Sequence, residues 1–402
     1  MPEDVSQNPP PTPYGGPQYP GGYSAAPGTR TSTPLLWGVL AWCFRQLQKV
    51  LGFHGEPNIS VMTQNLYLGA DLSPITAASN QQGLVAAATQ VYAQVQSTNF
   101  TERADALAKE ISTSRPVVVG LQEATLWRSQ SPADFSPTPN ATHVEYDYVQ
   151  ILLDKLAANG TPYTAVATYT GADFEVPITT VSGLEDIRWT DRDVILIRAD
   201  VPGTKVSHVP GSKVTFSNPQ SGTFQAAATF SNPVLGQVTF PFGWASVDLT
   251  IGGQTGRVVT THLEPTDPAV QVAQGNELLA GPLNTSLPAI LIGDLNSAAG
   301  GIGATPGQTD TPTYANIIAA GFTDAWSQAN GDAPGPTCCQ AADLRNTTSS
   351  LTERDDVILS RGLTASSVRL VGEVSSDRTS TGLWPSDHAG IVGILHPTRK
   401  GR

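Results

Sequence analysis

Cysteine is scarce in this chain: there are three in 402 residues, Cys43, Cys338 and Cys339, and none has the CxxC or Cys/His spacing of a zinc site. A disulfide framework is thereby excluded, and the adjacent Cys338 and Cys339 read either as a vicinal disulfide or as two thiols. Basic residues are also few, 22 Lys and Arg against 34 Asp and Glu, for a formal net charge of −12. That balance argues against the broad basic face with which non-specific duplex binders neutralise phosphates. It does not exclude a phosphate-bearing substrate, because clustered carboxylates can become a metal site whose ion reverses the local field. Membrane-spanning apolar runs are lacking as well. The run from Leu35 to Phe44 is too short to cross a bilayer, lies far from the N-terminus for a simple signal peptide and has no Ala-x-Ala site after it.

Residues 1–33 are rich in Pro, Gly and Tyr without apolar periodicity, so they cannot bury enough surface to offset their ordering entropy and are expected to be disordered. Residues 34–57 read as an amphipathic helix and linker: Leu36, Leu40, Cys43, Leu47 and Val50 share one side, with Gly38, Ala41, Arg45, Gln48 and Lys49 opposite. Such a helix either packs on the body of the protein or makes a peripheral membrane contact through residues 35–51, with Trp37 and Trp42 at headgroup level. A degraded export signal is the third reading. Six Asn-x-Ser/Thr sequons, at Asn58, Asn99, Asn140, Asn159, Asn284 and Asn346, lean weakly toward secretion, since most arise by chance in a chain rich in Ser and Thr. Secretion or membrane association is favoured over a cytoplasmic location, and a monomer is expected.

From residue 58 to 398 apolar runs alternate with turn clusters, which predicts one domain with a sizeable core. Ile59 to Asn65 alternates with period two, whereas Pro116–Leu121 and Pro288–Gly293 are continuous apolar runs, the mark of strands buried on both faces. Further strands are expected at Tyr163–Thr168, Val194–Arg198, Val258–Leu263 and Asp356–Ser360 and after His388, with hairpins over 205–250. Helical spacing falls at Thr101–Ser112, Tyr146–Ala158, Pro268–Ala280 and Tyr314–Ala320, and Thr125–Asn140 reads as a long loop. Both strand patterns interleaved with helices predict an α/β (α+β) fold, a four-layer sandwich of two packed mixed β-sheets flanked by helices.

Asn65, Glu123, His262, Asp294, Asn296, Asp387 and His388 all stand at or just beyond strand ends or junctions, where loops at one sheet edge converge. Oxygen ligands without cysteine suit Mg²⁺, with Mn²⁺ or Ca²⁺ as alternatives. The two histidines suit acid and base work near neutral pH. Taken singly, Asp294 also fits a turn and His262 a satisfied core histidine.

In this order, Gln64-Asn65, Gln122-Glu123, Thr261-His262-Leu263, Gly293-Asp294-Leu295-Asn296, Arg354-Asp355-Asp356 and Ser386-Asp387-His388 resemble the motif series of the endonuclease/exonuclease/phosphatase superfamily. The stretch Asn65 to Asp71 also looks like a branch of bacterial members. The resemblance implies that Glu123 is the principal metal ligand, with Asn65 beside it and Asp387 completing the site. It implies that His388 is the general base, oriented by Asp356, that Asp294 and Asn296 hold the attacking water and phosphoryl oxygens, and that His262 binds or protonates the scissile phosphate. Asp191 or Asp193 would orient His262. Ala124 and Thr125 follow Glu123 where deoxyribonuclease-like members carry a basic residue, and Arg128 comes later. Asp355 replaces an apolar residue and is expected to face outward, while Trp127, Trp189, Trp244 and Trp384 are expected to pack the core or rim rather than stack on bases, Trp127 and Trp384 being the nearest of them to site residues in sequence. The expected substrate is a nucleic-acid or phospholipid-headgroup diester, with a soluble phosphomonoester as the alternative. A binding scaffold on a dead enzyme fold would have lost Glu123, Asp294 or His388, and all three are present.

Overall fold

The computed structural model describes residues 58–136, 138–199 and 214–398; the segments 1–33 and 34–57 lie outside the described residues. The described chain opens on β1 (Ile59–Asn65), crosses helices α1 (Ser73–Thr76), α2 (Gln81–Ser97) and α3 (Phe100–Ser114), and returns as β2 (Val118–Gln122) parallel to β1. There follow β3 (Leu126–Gln130), β4 (His143–Asp147), helix α4 (Tyr148–Ala158) and a long hairpin of β5 (Tyr163–Thr180) and β6 (Gly183–Arg198). The second half begins with β7 (Val214–Thr223), the small hairpin β8 (Ala228–Asn232) and β9 (Gly236–Phe240), β10 (Gly243–Ile251) and β11 (Gln254–His262). Helix α5 (Pro268–Ala280), β12 (Ala289–Asp294), α6 (Thr313–Ala319), β13 (Thr323–Asp324) and α7 (Ala325–Asn330) come next. The chain closes with β14 (Asp356–Arg361), β15 (Leu363–Val371) and β16 (Gly390–Pro397).

Two large mixed sheets result, one eight-stranded in the order β15-β16-β1-β2-β6-β3-β4 with β5 also on β6, the other six-stranded in the order β13-β14-β12-β11-β10-β7. Alternation along the strands decides the layers. Val61, Val118, Ile195, Val247, Val258, Ile290, Ile358 and Ile391 meet in a core between the sheets. Their strand neighbours point the other way: Met62, Val119 and Leu196 pack with Leu107, Ile111 and Leu152 of α3 and α4. On the far side, Val259, Leu291 and Leu359 pack with Leu278 of α5 and Ile317 of α6. The central strands are apolar throughout because both of their faces are buried. Gly120 lets the sheets approach, since a Cβ there would lie 2.6 Å from Thr260 Oγ1. Helix α5 starts where it does because Asp267 accepts from the Ala269 and Val270 amides and Pro268 takes the first turn.

The stretch Thr125–Asn140 is not one long loop. Leu126–Gln130 is a strand between β6 and β4, and its polar Arg128, Ser129 and Gln130 concealed it. The hairpin of β5 and β6 also runs far beyond Thr168 and begins well before Val194, so most of the segment from Tyr169 to Asp191 is paired strand.

Candidate active site

Strand register brings the polar residues to one edge. In adjacent strands, His262 pairs with Asp294, which pairs with Asp356. Gly293 makes this close pairing possible, because a Cβ at its φ of +149° would lie 2.1 Å from Thr261 O. In the other sheet Asn65 ends β1 opposite Gln122, and Glu123 follows at once. Because β16 is antiparallel to β1, the loop before it delivers Asp387 and His388 to the same edge. Asn65 Nδ2 spans the sheets, donating to Glu123 Oε1 at 2.9 Å and Asp294 Oδ2 at 3.2 Å, while Asn65 Oδ1 accepts the Tyr67 amide at 2.9 Å.

The most defined pair is His388 and Asp356. His388 Nδ1 lies 2.7 Å from Asp356 Oδ2, and both residues are buried. With the Nδ1 proton held there, Nε2 is the ring nitrogen left to accept a proton, 3.8 Å from Asp294 Oδ2 and 3.8 Å from Cys339 Sγ. Burial disfavours the charged imidazole, but Asp356, Asp387 and Asp294 outweigh it and hold His388 well above the ordinary histidine range.

His262 approaches the same oxygen from the other side, its Nε2 lying 3.7 Å from Asp294 Oδ2. Burial opposes its charge too, yet Asp294, Glu123, Asp193 and Asp191 push its pKa up to about 9. Its buried Nδ1 has no hydrogen-bond partner, so Asp191 and Asp193 both act on the ring through charge, and Phe242 braces it edge-on with ring centroids 5.4 Å apart. Burial opposes ionisation of Asp294, but the two imidazoles hold its carboxyl below the usual range. The Asn296 main-chain amide donates to Asp294 Oδ1 at 2.9 Å, and Asn296 Nδ2 donates to Leu263 O at 2.9 Å.

The remaining edge is crowded with acid. Glu123 takes a left-handed φ of 50° and its Oε2 accepts the Leu68 amide at 2.7 Å. Burial first, then the charges of Glu123 and Asp294, push Asp387 up to about 7 against the pull of His388 and Arg103. Asp355 does not face outward: it is 1% exposed, with one carboxyl oxygen unpartnered, and burial with Asp294 and Glu353 raises it to about 8. Oxygen donors and an excess of buried negative charge fit a hard divalent cation, which Glu123 and Asp387 would hold with Asn65 alongside.

This charge balance predicts a stability profile. An acid whose pKa is raised by folding stabilises the fold fully below its unfolded value and loses that contribution as pH rises through the folded value. Asp387 at about 7 and Asp355 at about 8 therefore predict that the metal-free protein melts at lower temperature as pH rises from about 4 to about 8. Scanning calorimetry should find Mg²⁺ restoring more at the upper end of this window than at the lower. Equal increments at both ends would contradict a carboxylate cation site.

Residues 62–388 match the model of the Endonuclease/Exonuclease/phosphatase family. The chain belongs to this family. No protein with a curated description matches it. An endonuclease/exonuclease/phosphatase family protein from Bacteroides thetaiotaomicron has a similar structure, with a TM-score of 0.52 and 15% identity over 86% of this chain and 97% of that one. A family protein from Leptotrichia buccalis C-1013-b matches with a TM-score of 0.47 and 16% identity over 84% of this chain and 99% of that one. A humanized D. rerio TDP2 carrying 14 mutations gives 0.45 and 19% over 84% and 99%.

This family member positions its site with residues that the sequence patterns did not single out. Arg103 on α3 is fully buried and donates to Leu66 O and Pro385 O at 2.8 Å each and to Tyr67 O at 3.0 Å, tying the loop after Asn65 to the loop before Asp387. Its one signal was helical spacing, since Arg103 shares the buried face with Leu107 and Ile111. Replacing Arg103 with Met leaves these carbonyls unpaired and should cost roughly 3 kcal/mol or more in urea unfolding, with weakened Mg²⁺ binding. A loss below about 1 kcal/mol would contradict the tethering role. Thr337 Oγ1 accepts the amides of Asp355 and Asp356 at 3.2 Å each.

Trp127 and Trp384 pack into the core, as expected of these tryptophans. They are 2% and 0% exposed, and their indole N–H groups donate to Leu68 O and Asn346 O. Arg128 is bound to Thr190 and Asp173 and offers no free phosphate grip.

Proposed function

We propose that this protein is a divalent-metal-dependent phosphodiesterase that hydrolyses a nucleic-acid or phospholipid-headgroup diester. Family membership supports a phosphoesterase, and the observation that carries the finer reading is the buried Asp356–His388 pair whose Nε2 shares Asp294 Oδ2 with His262. His388 Nε2 takes the proton of a water held between it and Asp294, and Asp356 keeps the ring in the tautomer that can accept it. The water oxygen attacks phosphorus in line while Asn296 helps to fix the phosphoryl group. His262, with a pKa near 9, is protonated at neutral pH and supplies a proton or hydrogen bond to the phosphate. A divalent cation, when bound, supplies positive charge that stabilises the developing phosphoryl and leaving-group charge.

Asp356 contributes most to raising the His388 imidazole, and Asp387, one of the two carboxylates that would hold a cation, adds to it. A cation that offset the Asp387 charge would move the ring toward the neutral form that accepts a proton, which supports metal dependence.

The test is turnover of bis-p-nitrophenyl phosphate against the monoester, then of plasmid DNA, RNA and sphingomyelin, each with Mg²⁺ and with EDTA. Diester turnover that EDTA abolishes is the expected result. Preference for the monoester would shift the reading to a phosphomonoesterase, and inactivity on every substrate would overturn it.

A further inference from the structure

Cys338 and Cys339 have no part in the reaction proposed above, yet their loop is stitched between the two segments that build the base. Cys338 N–H donates to Glu353 O at 2.9 Å, Gln340 N–H to Asp387 O at 2.8 Å, and Ala389 N–H to Thr337 O at 2.8 Å. This stitching places Cys339 Sγ 3.8 Å from His388 Nε2, the reactive nitrogen. Ligand atoms of Cys338, Cys339 and His388 all lie within 4.8 Å of one another. Cys338 and His388 are buried while Cys339 reaches solvent, so the cluster is open to an ion from one side. In this structure the two cysteines are joined as a disulfide.

We propose that, once reduced, Cys338 and Cys339 join His388 Nε2 to form an inhibitory site for a thiophilic divalent cation such as Zn²⁺ or Cd²⁺, and that the disulfide form does not bind it. Two thiolates and one imidazole are a donor set that these ions favour, whereas Mg²⁺ prefers the oxygens of Glu123 and Asp387. A dithiol reductant passes two electrons and two protons to the disulfide, leaving two thiols on the protein and its own disulfide in solution. Binding then displaces one proton from each thiol. An ion held on Nε2 occupies the lone pair with which His388 would accept the proton of water, so turnover stops.

The site can be read without turnover, which separates this inference from the phosphodiesterase reading. The full chain carrying Cys43→Ser is reduced, freed of reductant and titrated with Cd²⁺ in excess Mg²⁺, following the thiolate-to-cadmium charge-transfer absorption. One equivalent should bind to the reduced chain, and affinity should fall roughly 100-fold or more in the oxidised chain and in Cys339→Ser. Cys338→Ser serves as a second variant should Cys339→Ser fail to fold. His388→Ala should weaken binding roughly tenfold or more while keeping the absorption band. Equal uptake by oxidised and reduced chains, or uptake indifferent to His388→Ala, would overturn the site. Cd²⁺ binding that leaves diester turnover intact would overturn its inhibitory role.

Discussion

His388→Ala should lower kcat on a phosphodiester by roughly 10²–10⁴ while leaving the Mg²⁺-induced rise in melting temperature largely in place. The expectation rests on the separation of roles along the sheet edge. The His388 ring is held by Asp356 at Nδ1 and presents Nε2 toward Asp294, whereas the carboxylates suited to a cation are Glu123 and Asp387. Removing the imidazole deletes the proton acceptor and leaves those carboxylates in position. It also strands Asp356, a fully buried carboxyl, so some stability is lost, and this loss should be separable by comparing variants at equal fraction folded. Asp356→Asn should reproduce much of the kinetic defect by allowing the wrong tautomer. A near-normal rate in His388→Ala at saturating Mg²⁺ would remove His388 from the role of base.

Glu123→Ala is expected to fail in the opposite way. Metal affinity should fall roughly 100-fold or more, so activity at moderate Mg²⁺ disappears and returns in part as Mg²⁺ is raised. Glu123 is placed for this by its left-handed backbone and by the Leu68 amide and Asn65 side chain that grip its two oxygens. Its removal also relieves Asp387, Asp191 and His262 of a neighbouring negative charge. The variant should therefore show a smaller Mg²⁺-induced shift in melting temperature than the parent chain near pH 8. Unchanged titration of that shift with Mg²⁺ would place the cation elsewhere.

Much of the fold was legible because its central strands are buried on both faces. Pro288–Gly293 announces itself as a strand by its continuous apolar run, and Asp294 stands out as the first charge after it. The same contrast picks out Glu123 after β2 and His262 at the end of β11. Where one face meets water or another polar strand, the signal fades. Arg128, Ser129 and Gln130 hid β3, and α2, with five glutamines among seventeen residues, showed too little apolar contrast to be read at all.

Side-chain direction at the site was less legible than position. Asp355 sits between two recognised motif residues, and only tertiary packing turns its carboxyl inward beside Asp294. Asp191 and Asp193 could not be separated by spacing, and the structure shows why: both influence His262 through charge, and neither bonds its Nδ1. Trp127 and Trp384 lie close in sequence to site residues, but their rings turn into the core and carry the loops rather than the substrate. The approach of Cys339 to His388 joins residues 49 positions apart and leaves no trace in local pattern.

The central claim is that a carboxylate-held divalent cation and a His388 base together hydrolyse a phosphodiester. It is tested most directly by initial rates of bis-p-nitrophenyl phosphate hydrolysis for the full chain stripped with EDTA and then titrated with Mg²⁺, alongside His388→Ala. The account predicts no turnover after stripping, saturable recovery with Mg²⁺ in the parent chain, and no recovery in the variant. Full activity in the stripped protein, or equal recovery in both chains, would contradict it.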